Sequence, residues 1–203
     1  MTFSFKRMAR LTCLALVPGM VVALSAPAIG SETPDPVMMK KQMQMMKKQM
    51  QSMKPELRAK VQALAPETRQ LLVRVISQHN RRSKEATMRQ VMQEILGDYQ
   101  RMVAAIVTDN KELAAESALN LANHRIPRGG MLPYLRHEDI TDAKIGSLAG
   151  FNESVEGSAR KLAKAARAGD MATAASHLTT IASGCVGCHQ VFRGVPGESQ
   201  WLN

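Results

Sequence analysis

The sequence predicts an all-α fold: a four-helix domain over residues 84–203, preceded by a helical Met/Lys-rich extension over 31–83. Three observations predict it. Apolar residues after Ser83 recur at three- and four-residue spacings, the period of a helix face. Aromatic residues make up only 3% of the chain, which deprives it of the side chains that strands favour. The low-complexity tract ahead of the domain is built from Lys, Gln and Met, all good helix formers.

Residues 1–30 read as a secretory leader. Lys6, Arg7 and Arg10 form a basic start, and Leu11 to Leu24 form a mostly apolar run broken by Pro18-Gly19. The run is short for a membrane span, which needs about 20 residues. Cleavage after Ala28 or Gly30 suits a peptidase that requires small residues. The expected destination is the periplasm. Cys13 has no small residue before it, which argues against a lipoprotein cysteine.

The net charge of +10 is unevenly spread. Residues 31–84 carry twelve Lys/Arg against four Asp/Glu, whereas residues 85–203 carry twelve against thirteen. The basic character therefore belongs to the extension, and the global charge says little about the domain. The extension opens with a linker, Ser31 to Pro36, followed by the tract Val37 to Lys54. Met43, Met46, Met50 and Met53 can share one helix face, either as adaptable packing residues or as thioethers for Cu(I). Two short helices are expected next, over 56–64 and 67–79, the second with Leu71, Leu72, Val75 and Ile76 as its apolar stripe. Asn80 to Ser83 breaks the pattern. The charge partition predicts a detachable tail that docks on an acidic surface; the rival reading is that Leu71, Leu72, Val75 and Ile76 pack against the bundle and complete its core.

Within the domain, the first helix is expected over 84–108. Met88, Met92, Ile95, Tyr99, Met102 and Ile106 follow a heptad seam. A shorter Ala/Leu-rich helix over 111–123 follows, with Asp109 or Asn110 as its cap. Pro127, Gly129, Gly130 and Pro133 mark a long loop. A third helix over 142–168 can be capped by Thr141, and Gly169 closes it. Asp170 is a good cap for the last helix, which carries Leu178, Ile181, Ala182, Cys185, His189 and Phe192 on one side.

That last helix ends in Cys185-Val186-Gly187-Cys188-His189. C-x-x-C-H is the spacing of a covalent c-type haem attachment site, in which each thiol bonds a vinyl group and the histidine ligates iron. A thioredoxin-like dithiol would sit beside strand–helix–strand signals, which are missing here. A zinc site needs two further ligands, and the remaining histidines are scattered. The cysteine count agrees. Of three cysteines, removal of the leader takes Cys13 and leaves only Cys185 and Cys188.

Cys185 to Arg193, read as C-x-x-C-H-x-x-F-R, resembles the C-terminal signature of class II c-type cytochromes, the cytochrome c′ group. The resemblance covers residues 84–193 by helix pattern and is sharpest over the final nine. It implies an antiparallel four-helix bundle with one haem c at the end of its fourth helix. It implies Arg193 near a haem propionate, and a distal residue supplied by the first helix. In low-spin members that residue is a methionine ligand; high-spin members have a non-ligating apolar residue. Many members place an arginine four residues before it. Here Arg89 precedes Met92 by three, and a four-residue offset lands on Gln93. Met92 is the expected second axial ligand, with Met88 the runner-up.

The expected function is electron transfer through the Fe(II)/Fe(III) couple, with no catalytic constellation in view. Two other classes stay open: a five-coordinate haem protein that binds nitric oxide or carbon monoxide, and a metal-handling or docking protein led by the Met-rich tract. Expected partners are a redox protein, acidic where it meets the basic extension, an anionic membrane surface reached through that extension, and a second copy in a homodimer. Nucleic acid is not expected. His177 precedes Cys185 by eight positions, and a surface role is expected for it. His124 and His137 flank the long loop without an evident partner, and Trp201 has no assigned role.

Overall fold

The computed structural model describes residues 40, 44, 47–192, 194, 197 and 199–203. The expected leader, the linker to Pro36, and Met38, Met39, Met43, Met45 and Met46 lie outside the described residues, as does Arg193. Among the described residues the secondary structure is helical, apart from two isolated bridges that pair Met53 with Leu202 and Arg82 with Ile126.

Helices α1 (Pro55–Gln62) and α2 (Pro66–Ser77) each begin on a proline. The first helical amide has no intrahelical partner, so proline costs nothing there. Each also has glutamate in its first turn and a basic residue in its last, matching the helix dipole.

Helix α3 (Met88–Val107) starts later than the periodicity suggests, because Thr87 and Gln90 form a capping box. The Gln90 amide donates to Thr87 Oγ1 at 3.4 Å, and the Thr87 amide donates to Gln90 Oε1 at 2.8 Å. Ser83 Oγ accepts from the Glu85 and Ala86 amides, holding the preceding residues as a turn. Asp109 takes a left-handed φ of 53°, and Asn110 caps α4 (Lys111–Ala122) by accepting from the Leu113 amide. The long loop contains two short 3₁₀ turns, Leu132–Tyr134 and His137–Asp139. Asp139 is fully buried in the second and accepts from Arg136 and Lys144.

The single helix expected over 142–168 is interrupted. It divides into α5 (Asp142–Gly146), α6 (Leu148–Asn152), a π turn (Glu153–Gly157) and α7 (Ser158–Arg167). Ser147 Oγ donates back to the Lys144 carbonyl at 2.7 Å, a bond that bends helices. The π turn inserts an extra residue per turn and carries Glu156 to the interior. Gly169, with φ of 78°, ends α7, and Asp170 caps α8 (Met171–Val191) through the Thr173 amide.

Two apolar clusters form. The first lies among α3, α4, α7 and α8 and is rich in alanine, with Met102, Leu121, Leu162 and Ile181 as its large members. Its small side chains let the helices approach closely. The α3–α4, α4–α7 and α7–α8 pairs pack extensively, whereas α3 and α8 meet more sparsely. The second cluster joins Met53, Leu57, Val61 and Leu72 of the basic segment to Ile145 and Phe192.

That second cluster corrects the expectation of a detachable tail. The described residues on both sides of position 83 lie in one compact unit. Charge counts the solvent-facing side chains of the segment, while its apolar residues complete a core. The chain end is stitched to the same region. The Lys54 amide donates to the Trp201 carbonyl at 2.8 Å, and the Asn203 amide donates to the Ser52 carbonyl at 3.0 Å.

Candidate functional site

The C-x-x-C-H segment occupies the last turns of α8. Helix geometry sets its two thiols one turn apart on neighbouring positions. Both are free and half-buried. Cys185 packs on the first apolar cluster and Cys188 on the second, so the segment stands where the two cores meet. Burial pushes the Cys185 thiol up. The Cys188 thiol is pushed up to about 11, by burial first and then by Cys185 and Glu156 nearby. Both thiols are therefore protonated at neutral pH. A dithiol redox centre needs the opposite shift, a thiol depressed toward neutrality.

One flank of α8 is filled. A Cβ at Gly184 would stand 2.7 Å from Val155 Cγ2, and one at Gly187 would stand 3.1 Å from Phe151 Cε1. The glycines let α6 and the π turn press directly against the motif helix. Phe192, buried and edge-on to Phe151 at 6.4 Å, anchors the helix end in the second cluster. His189 follows Cys188 and is therefore turned about 100° from it around the helix. It is exposed, which corrects its expected place on the buried side of the helix.

Met88 and Met92 are half-buried on α3, the helix that meets α8 sparsely. On the same helix Ile95 and Tyr99 pack against the cluster that also receives Cys185 and Leu178. Cys185, Cys188 and His189 are thus gathered at one helix end, with the two methionines on a neighbouring helix. His177 is half-buried, and the His137 ring lies 5.2 Å from that of Trp201. Arg193, the expected propionate contact, is outside the described residues.

A polar groove lies elsewhere. It encloses about 700 Å³ between α3, α4 and residues 81–86, and its lining includes Asp98, Arg101 and His124 but none of the motif residues. Asp98 is buried there, and desolvation raises its carboxyl despite its bond to Arg101. His124, for which the sequence shows no evident partner, stands beside His79 and Glu156, a cluster that no local pattern announces. Among the described residues, no helix is long and apolar enough to cross a membrane. No family model, curated protein or solved structure matches this chain.

Proposed function

We propose that this protein is a periplasmic monohaem electron carrier of the class II c-type, an antiparallel four-helix bundle formed by α3, α4, α5–α7 and α8. One observation carries the reading: beyond the expected leader the chain has only two cysteines, both free, one turn apart and followed directly by His189. The donor set fits a covalent haem. Two free thiols one turn apart can each form a thioether to a vinyl group, and a histidine exposed at the helix end is accessible to iron. Haem, when bound, supplies a one-electron Fe(II)/Fe(III) couple.

The chain's own residues supply the rest. Cys185 and Cys188 would tether the group to the end of α8, and His189 would provide an imidazole nitrogen. At Gly184 and Gly187 the backbone of α8 packs directly against the π turn and α6. From α3, Met92 would offer a thioether, with Met88 one turn away as the alternative. A methionine ligand raises the reduction potential relative to a second histidine. Lys54, Arg74, Arg81 and Arg82 are exposed cations of the basic segment, charges suited to steering an acidic redox partner.

The test is acid–acetone extraction of the purified full chain followed by its intact mass. Haem is expected to stay on the polypeptide, with neither thiol alkylatable. Haem released into the acetone, or two alkylatable thiols, overturns the proposal. A six-coordinate Fe(II) spectrum supports electron transfer, and a five-coordinate one transfers the assignment to binding of nitric oxide or carbon monoxide.

A further inference from the structure

His79, His124 and Glu156 are brought together from three separate parts of the chain: the turn after α2, the end of α4 and the π turn. His79 is 4% exposed and Glu156 is 7% exposed, while the His124 side chain reaches the wall of the polar groove. The two imidazole rings lie 4.4 Å apart and tilted by 46°.

The hydrogen bonds around the cluster decide what its atoms can do. His79 Nδ1 lies 3.1 Å from the Val75 carbonyl, and His124 Nδ1 lies 2.9 Å from the Arg125 carbonyl. A carbonyl only accepts, so each Nδ1 carries the proton and donates. In the neutral rings both Nε2 atoms then carry lone pairs, and both are turned toward the same carboxylate. His124 Nε2 is 3.2 Å from Glu156 Oε1, and His79 Nε2 is 3.4 Å from it without the alignment of a hydrogen bond. Glu156 Oε2 is buried and has no hydrogen-bond partner among the described residues. In that state three acceptors converge with no donor among them. Burying a carboxylate this way is costly unless a positive charge joins it.

The spacing suits one particular charge. Zinc–nitrogen and zinc–oxygen bonds of about 2.0–2.1 Å at tetrahedral angles set neighbouring ligand atoms about 3.3 Å apart. The two separations to Glu156 bracket that value, and all three ligand atoms lie within 4.8 Å of one another. Imidazoles that donate their other nitrogen to a backbone carbonyl are also the usual outer shell of a histidine–metal site. The π turn supplies the carboxylate, and such turns often mark functional positions. The groove beside His124 offers an entry path.

We propose that His79, His124 and Glu156 form a binding site for one divalent first-row transition metal of the zinc class, with the fourth position open to water. Two nitrogens and one carboxylate oxygen are a borderline donor set that suits zinc rather than calcium or magnesium. The site is independent of the haem reading, since it shares no residue with the C-x-x-C-H motif. It ties the basic segment, through His79, to α4 and the π turn.

The test uses the full chain, stripped with a chelator and titrated with Zn²⁺ against a colorimetric competitor. One Zn²⁺ per chain is expected, with a first shell of nitrogen and oxygen at about 2.0–2.1 Å by X-ray absorption at the zinc edge, including two imidazoles. Loss even of an outer-shell partner costs about 10–100-fold in affinity, so altering a direct ligand in His124→Ala or Glu156→Gln should weaken binding by at least about tenfold. Absence of saturable binding overturns the proposal and leaves a shared proton as the missing charge. So does unchanged affinity in both variants. Zinc–sulfur bonds at about 2.3 Å would also overturn it, by placing the ion on Cys185 and Cys188, and would count against covalent haem as well. If both variants fail to fold, the first shell of the unaltered chain decides alone.

Discussion

Leu57→Ala tests whether the basic segment is part of the protein's cooperative core. Leu57 is fully buried and packs in the second cluster with Val61, Leu72, Ile145 and Phe192. Its truncation removes apolar surface worth about 0.8 kcal/mol per buried CH₂ and leaves a cavity that α1 closes only in part. Buried Leu→Ala changes cost about 2–5 kcal/mol in total. For a chain of 203 residues, each kcal/mol lowers Tm by about 2–4 °C, so a fall of about 4–20 °C is expected. Urea unfolding should be followed by far-ultraviolet circular dichroism and by Trp201 fluorescence, because Trp201 packs on the same cluster. The two transitions should coincide and shift together. Leu96→Ala, at a position 53% exposed on α3, is the control and should move stability by less than about 0.5 kcal/mol. A cost below about 1 kcal/mol for Leu57→Ala refutes the argument. So does a fluorescence transition that separates from an unshifted dichroism transition, because the segment would then unfold by itself. The same argument predicts that a chain beginning at Arg82 loses its cooperative transition, where the charge partition alone predicts an intact domain.

Two further outcomes are expected. Oxidised protein should show the weak sulfur-to-iron band near the red end of the visible spectrum, and Met92→Ala should abolish it; loss of the band in Met88→Ala instead would move the ligand to Met88. Asp139→Asn should destabilise the long loop by about 1–2 kcal/mol at neutral pH, at the low end for a charged hydrogen bond because Arg136 and Lys144 are partly exposed. The Arg136 hydrogen bond, followed by that of Lys144, holds the Asp139 carboxyl below the usual carboxylate range. Its contribution is therefore complete above the unfolded value near 3.9 and is lost as pH falls through the lower folded value. Wild type and variant should converge in stability in that acid range, and a gap that persists there would show that charge is not the cause.

Much of the local structure was legible from the chain. Asn110 and Asp170 cap the helices that follow them, as their side chains and the apolar runs behind them indicate. Gly169 takes the left-handed conformation where a helix must stop. The capping box at Thr87 and Gln90 was equally local and would have corrected the start of α3. The motif at Cys185, Cys188 and His189 is a matter of spacing on one helix, and spacing survives without knowledge of the fold.

What the tertiary structure alone decided concerns residues far apart in sequence. Charge assigns the basic segment to solvent, and only packing reveals that its buried leucines share a core with Phe192. His79, His124 and Glu156 are separated by dozens of residues, so no periodicity relates them. Glu156 reaches the interior because the π turn adds a residue to one helical turn, a change invisible in a pattern that otherwise reads as continuous helix. The sequence by itself determined the caps at Asn110 and Asp170 and which thiols and imidazole share a helix end, since those depend on neighbours within a few positions. The fold decided which distant groups meet and which faces remain wet, because those depend on how helices approach one another across the chain.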